Sequence, residues 1–85
     1  MNYLVTGIKV VDFTNKEGEK VQGTRVYFVY ADEFDDSVTG QIADSKWLTP
    51  LQIEKLKVDL KSLINKRVNF VTNLKGNIVQ ILQEG

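Results

Sequence analysis

Cysteine and histidine are both absent from the 85 residues. Without cysteine there is no disulfide and no thiolate zinc site. Without histidine the chain lacks the commonest general base, the commonest metal ligand and the Ser-His or Cys-His nucleophile pairs. No apolar run approaches the roughly 18 residues that cross a bilayer. Met1-Asn2-Tyr3 is not a basic segment leading into an apolar one, so no signal peptide is expected, and a cytoplasmic protein is the simplest reading. A Gly-rich phosphate loop, a pair of inward carboxylates and a nucleophile–base pair are all missing. The expectation is a protein without catalysis, cofactor or resident metal.

What is present describes one small folded domain spanning residues 1–85. Hydrophobic residues make up 42% and charged residues 26%, a composition that favours a packed globule over disorder. Net charge is zero but unevenly spread. Residues 1–44 hold four cations and eight anions; residues 45–85 hold seven cations and three anions. Such asymmetry suits a charged binding face, although patchy solvated surfaces produce it too.

Hydrophobic periodicity predicts five strands and one helix. Leu4 to Phe13 (LVTGIKVVDF) is β-branched and apolar, and Gly7 inside it predicts a bulge or bend. Residues 14–23 are polar with two glycines and read as a loop or mobile ribbon. Thr24 to Tyr30 (TRVYFVY) alternates, with Val26 and Phe28 assigned inward and Arg25 and Tyr27 outward. An acidic turn follows at Asp32, Glu33, Asp35 and Asp36. Its spacing does not match an EF-hand loop, and it reads as a solvated turn. Ser37 to Ala43 is the expected third strand, with Val38, Gly40 and Ile42 inward and Thr39 and Gln41 outward.

The helix is marked by Thr49 as N-cap, Pro50 in the first position and Gln52 completing a capping box. Leu48 and Ile53 are placed to form a hydrophobic staple. Ile53, Leu56, Leu60, Leu63 and Ile64 recur at helical spacing and predict a helix to about Asn65. Val68 to Thr72 and Ile78 to Leu82 are the last strands, joined by a turn in which Gly76 suits positive φ.

The predicted order is β-β-β-α-β-β, mainly β with one helix. This is the pattern of an OB-fold, a five-stranded partly open barrel that binds ligands on its second and third strands and adjoining loops. An SH3-like or Sm-like barrel is the chief competitor, but rarely carries a capped helix at this point. Trp47, just before the cap, is a candidate for base stacking together with Lys46, but a lone Trp beside a helix start is expected to seal the barrel's base. Phe28, Phe34 and Phe70 are assigned to core or rim packing.

Single-stranded nucleic acid is held by cations that follow phosphates and by aromatic rings that stack on bases. The candidate interface is Lys9, Lys16, Lys20, Arg25, Tyr27, Thr39 and Gln41, on or beside the first three strands. Arg25 and Tyr27 on one strand face form its centre. Read from composition alone, this pair is what an ordinary strand surface presents, with Tyr27 a half-buried strand residue and Arg25 a surface cation.

The run Phe13-Thr14-x-x-x-Gly18-x-x-x-Gln22-Gly23-x-x-x-Tyr27 resembles the DNA-binding wing of the filamentous-phage helix-destabilising proteins. The resemblance covers about fifteen residues. It implies a small dimeric OB-fold binder of single-stranded DNA acting in DNA replication without catalysis. By this resemblance Lys16 and Lys20 contact phosphate and Tyr27 stacks on a base. The chain also looks like compact single-stranded DNA-binding proteins of phages and mobile elements. The expected partner is therefore single-stranded DNA, with RNA the alternative, and no membrane. A homodimer is expected because a small barrel has edge strands to cover. The competing function is a protein-interaction or structural OB module of a phage or mobile element, which zero net charge and the acidic turn favour.

Overall fold

A computed structural model describes residues 2–84. Its strands are β1 (Tyr3–Thr14), β2 (Lys20–Tyr30), β3 (Ile42–Leu48), β4 (Arg67–Thr72) and β5 (Ile78–Gln83). Between β3 and β4 lie a short helix α1 (Pro50–Leu56) and a 3-10 turn (Leu60–Leu63). The strands form one antiparallel sheet in the order β3-β2-β1-β4-β5. The sheet is not closed: β3 and β5 are its two free edges.

The long β1 bends as Gly7 predicts. Its register with β2 shifts between Val5 and Gly7, leaving Thr6 as the bulged residue. Residues before the bulge reach β4, pairing Tyr3 with Val68 and Leu4 with Arg67. Residues after it pair only with β2. One strand thus serves two halves of the sheet.

The β1–β2 and β4–β5 hairpins are built by the same five-residue turn. Asn15 Oδ1 accepts from the N–H groups of Glu17 (3.0 Å) and Glu19 (2.9 Å), and Gly18 adopts φ +82°. Asn73 Oδ1 accepts from Lys75 (3.0 Å) and Asn77 (3.1 Å), and Gly76 adopts φ +83°. Asparagine can mimic a backbone turn through its side chain, and glycine accepts the left-handed conformation at no steric cost. Of the two readings of residues 14–23, loop or ribbon, Lys20–Gly23 follow the ribbon: they continue β2 opposite Val11–Thr14. The paired ribbon therefore runs past β3, whose last partner is Thr24. That projection lengthens the molecule to 45 × 28 × 27 Å, with a radius of gyration of 14.3 Å. A fully compact chain of this length would have about 12 Å.

Two elements differ from expectation. The third strand is Ile42–Leu48, not Ser37–Ala43. Residues 31–41 form a loop tied by Asp32 and Asp35, whose carboxylates accept from the Phe34 and Ser37 N–H groups. Asp and Ser compete for backbone hydrogen bonds in this way and favour turns over strands. The helix keeps its predicted start: Thr49 Oγ1 accepts from the Gln52 N–H, and Gln52 Oε1 accepts from the Thr49 N–H. It stops at Leu56, where Lys57 turns left-handed at φ 52°. Asp59 then caps the 3-10 turn by accepting the Lys61 N–H at 3.2 Å. Leu60 and Leu63, three apart, are both buried, which a three-residue turn satisfies as well as an α-helix would. Ile64 falls outside on the surface.

The core is Val5, Val26, Phe28, Leu48, Leu60, Leu63, Val68, Ile78 and Ile81. It lies on the concave side of the sheet, with the α1 and 3-10 segment set against it. Phe34, expected to pack, is 93% exposed.

Candidate nucleic-acid interface

The register of the first three strands sorts their side chains onto two faces. Val26 and Phe28 are buried on the concave face, and Arg25 and Tyr27 lie on the outer one. Cross-strand pairing puts Lys9, Arg25 and Trp47 in one row. The next row is Gly7, Tyr27 and Ser45. In the other direction come Val11 with Gly23, then Phe13 with Val21 at the outer part of the ribbon. None of the residues in these four rows is a carboxylate. The acids of the same strands, Asp12 and Asp44, share rows with Gln22 and Phe28 and so belong to the opposite face.

Arg25 is held in place. Its Nη1 donates to Ser45 Oγ at 3.0 Å, and its guanidinium carbon lies 5.6 Å from the centre of the Trp47 ring. A cation over an indole face is attracted by the ring's negative face. Trp47 in turn rests against Gly23. An ideal Cβ at residue 23 would lie 2.6 Å from Trp47 Cε2 and 2.8 Å from the Leu48 carbonyl oxygen. Glycine is therefore what lets the indole approach the strand this closely. Tyr27, 37% exposed, presents its ring one row away, and Phe13 is exposed farther along the ribbon. Two cations and accessible rings thus share one acid-free surface.

Trp47 does not seal the base of a barrel; it lies on the outer face. Misplacing the third strand hid this, because only the true register sets Trp47 beside Arg25. Of the seven candidate residues, the structure brings Lys9, Arg25 and Tyr27 together. Lys16 sits at the turn of the ribbon. Lys20 pairs with Thr14 and belongs by register to the opposite face from Arg25. Thr39 and Gln41 are loop residues, not outward strand residues. Gln41 lies near Asn2, Tyr30 and Arg67, at the end of β2 away from Arg25. Arg25 and Tyr30 are five positions apart on β2, or about 17 Å at strand rise.

A second concavity of about 330 Å³ opens on the inner face between the β3 and β5 edges. Tyr3, Phe28, Tyr30 and Phe70 line it, with ring centres 4.9–6.2 Å apart, and Asp44 and Lys46 stand at its β3 side. Burial there pushes the Tyr30 phenol above its ordinary value, and the nearby Asp44 carboxylate adds to the shift. Among the described residues there is no cluster of three or more metal-ligating side chains, and no helix long and apolar enough to cross a membrane. Comparison with protein-family models, with curated proteins and with solved structures finds no match for this chain.

Proposed function

We propose that the outer face of β1, β2 and β3 binds single-stranded nucleic acid, DNA by preference, in the cytoplasm and without catalysing a reaction on it. The observation that carries this reading is the acid-free surface on which Lys9, a pre-oriented Arg25, Trp47 and the open Tyr27 ring stand in adjacent rows. Phosphates would meet Lys9 and Arg25, and a base would stack on Tyr27. Lys16 at the ribbon turn would extend the contact, in the manner of the phage wing that residues 13–27 resemble. We read the sheet as an OB-type barrel left open between β3 and β5, a fold that commonly binds along strands two and three.

Trp47 is the only tryptophan, so its emission reports the site directly. Titration with an oligothymidylate at two salt concentrations is the test. Binding should weaken with salt by about 0.7 log units per log unit of salt for each phosphate contacted. Tyr27→Ala should weaken it by about 1–3 kcal/mol, the value of one base stacked on an aromatic ring. No binding at low salt would eliminate the proposal.

One observation favours the interaction-module reading instead. Phe34 stands fully exposed among Asp32, Glu33, Asp35 and Asp36 at the far end of β2. A partner that recognises that loop would lose affinity on Phe34→Ser and be indifferent to Tyr27→Ala.

A further inference from the structure

The two free edges of the sheet are not alike. An unpaired edge offers a row of backbone donors and acceptors to any other strand, and proteins blunt it with charges or local capping. The β3 edge is blunted in both ways. It carries Asp44 and Lys46, and the Asp44 carboxylate already accepts the Ser45 N–H at 2.7 Å. β5 reads Ile78-Val79-Gln80-Ile81-Leu82-Gln83, with no charge and no proline; its ladder to β4 shifts register between Val71 and Thr72 and skips Val79. Such a six-residue run of high β-propensity is the kind that pairs when left exposed. Beside it lies apolar surface that the fold leaves uncovered: Val79 is 52% and Leu82 45% exposed, and Val71 and Leu74 extend the patch.

The charges flanking β5 indicate what covers it. Lys75 lies in the turn just before the strand, and Glu84 directly after it. We propose that β5 pairs antiparallel with β5 of a second copy of this chain, about a two-fold axis between Val79 and Gln80. Antiparallel pairing brings the start of one β5 to the end of the other. Lys75 then faces Glu84 of the second copy, and the symmetry repeats that contact. Parallel pairing would set Lys75 against Lys75 and Glu84 against Glu84. A two-fold contact of this kind is closed, so it stops at two copies and leaves no β5 edge to recruit a third. The outer face of β1–β3 takes no part, so the inference stands or falls separately from nucleic-acid binding.

Sedimentation equilibrium over a concentration series tests it. The wild type should approach the mass of two chains. Lys75→Glu and Glu84→Lys, each alone, should weaken the dimer several-fold, because one substitution spoils both symmetric contacts. The double reversal should return the wild-type dissociation constant. Val79→Lys with Leu82→Lys should give a monomer whose far-ultraviolet circular dichroism is unchanged. A wild type that stays monomeric throughout, a series that grows beyond two copies, a double reversal that fails to recover, or a folded Val79→Lys/Leu82→Lys protein that remains dimeric would each overturn the proposal.

Discussion

At the scale of single residues, Gly23 decides more than its size suggests. Any side chain there meets Trp47 and the Leu48 carbonyl oxygen at less than a normal contact distance. The indole is rigid and the carbonyl is backbone, so neither moves cheaply. Gly23→Ala should cost about 1–3 kcal/mol of stability, as overpacking does. It should also tip Trp47 away from Arg25. Thermal unfolding reads the first effect and a shift in tryptophan emission the second; wild-type values in both would show that the indole does not rest on this glycine. Asp35 offers a second residue-scale test. The Ser37 hydroxyl and then the Ser37 N–H donate to its carboxylate and hold it below the usual carboxylate range. A group lowered on folding stabilises the fold above its unfolded value and loses that contribution as pH falls through its folded value. In a carboxyl-carbon NMR titration Asp35 should therefore titrate below an ordinary aspartate, and Ser37→Ala should bring it back up.

At the scale of elements, α1 depends heavily on its first turn. A seven-residue helix is too short to stand without tertiary packing, and its capping box satisfies donors on both sides of the cap. Thr49→Ala should cost about 1 kcal/mol, measured by urea unfolding; no loss would mean that Leu48 and Ile53 alone fix the helix start. This start was fully legible in the sequence because caps are local chemistry: Thr49, Pro50 and Gln52 act on one another. The end was not legible. Leu60 and Leu63 suit an α-helix and a 3-10 turn equally, and the break is made by the left-handed Lys57 and the capping Asp59. The third strand was misread for a different reason. Ser37 to Ala43 alternates plausibly, but Asp35 claims the Ser37 N–H, whereas the true strand IADSKWL carries charges on its concave face. Inward charges belong to an unpaired edge, and only the assembled sheet reveals where its edges are. The candidate site inherits that error. Arg25 and Tyr27 were readable from one alternating strand, while Trp47 and the displacement of Thr39 and Gln41 required the β2–β3 register.

At the scale of the whole molecule, the sheet consists of two halves joined by a narrow seam. β1, β2 and β3 form one half and β4 and β5 the other. Among the described residues, the backbone pairing between them is the pairs Tyr3–Val68 and Leu4–Arg67 and two flanking bonds, Val5 N–H to the Lys66 carbonyl (3.1 Å) and Asn65 N–H to the Val5 carbonyl (2.7 Å). So short a ladder cannot by itself fix the halves, and the concave aromatic cluster supplies much of the remainder. Phe70 of β4 lies 4.9 Å from Tyr3 and 5.2 Å from Phe28, centre to centre, so its ring bridges the seam. Phe70→Ala should cost about 2 kcal/mol, below the roughly 3–5 kcal/mol of a fully buried ring because this one is half-buried. The loss should also be uneven. Native-state amide exchange should accelerate most in β4 and β5, while the β1–β2 ladder, paired along ten rows, keeps its protection; opening free energies differ in this way between cooperative units of one fold. An equal drop in protection in both halves would mean that the sheet opens as a single unit, with the seam no weaker than the strands it joins.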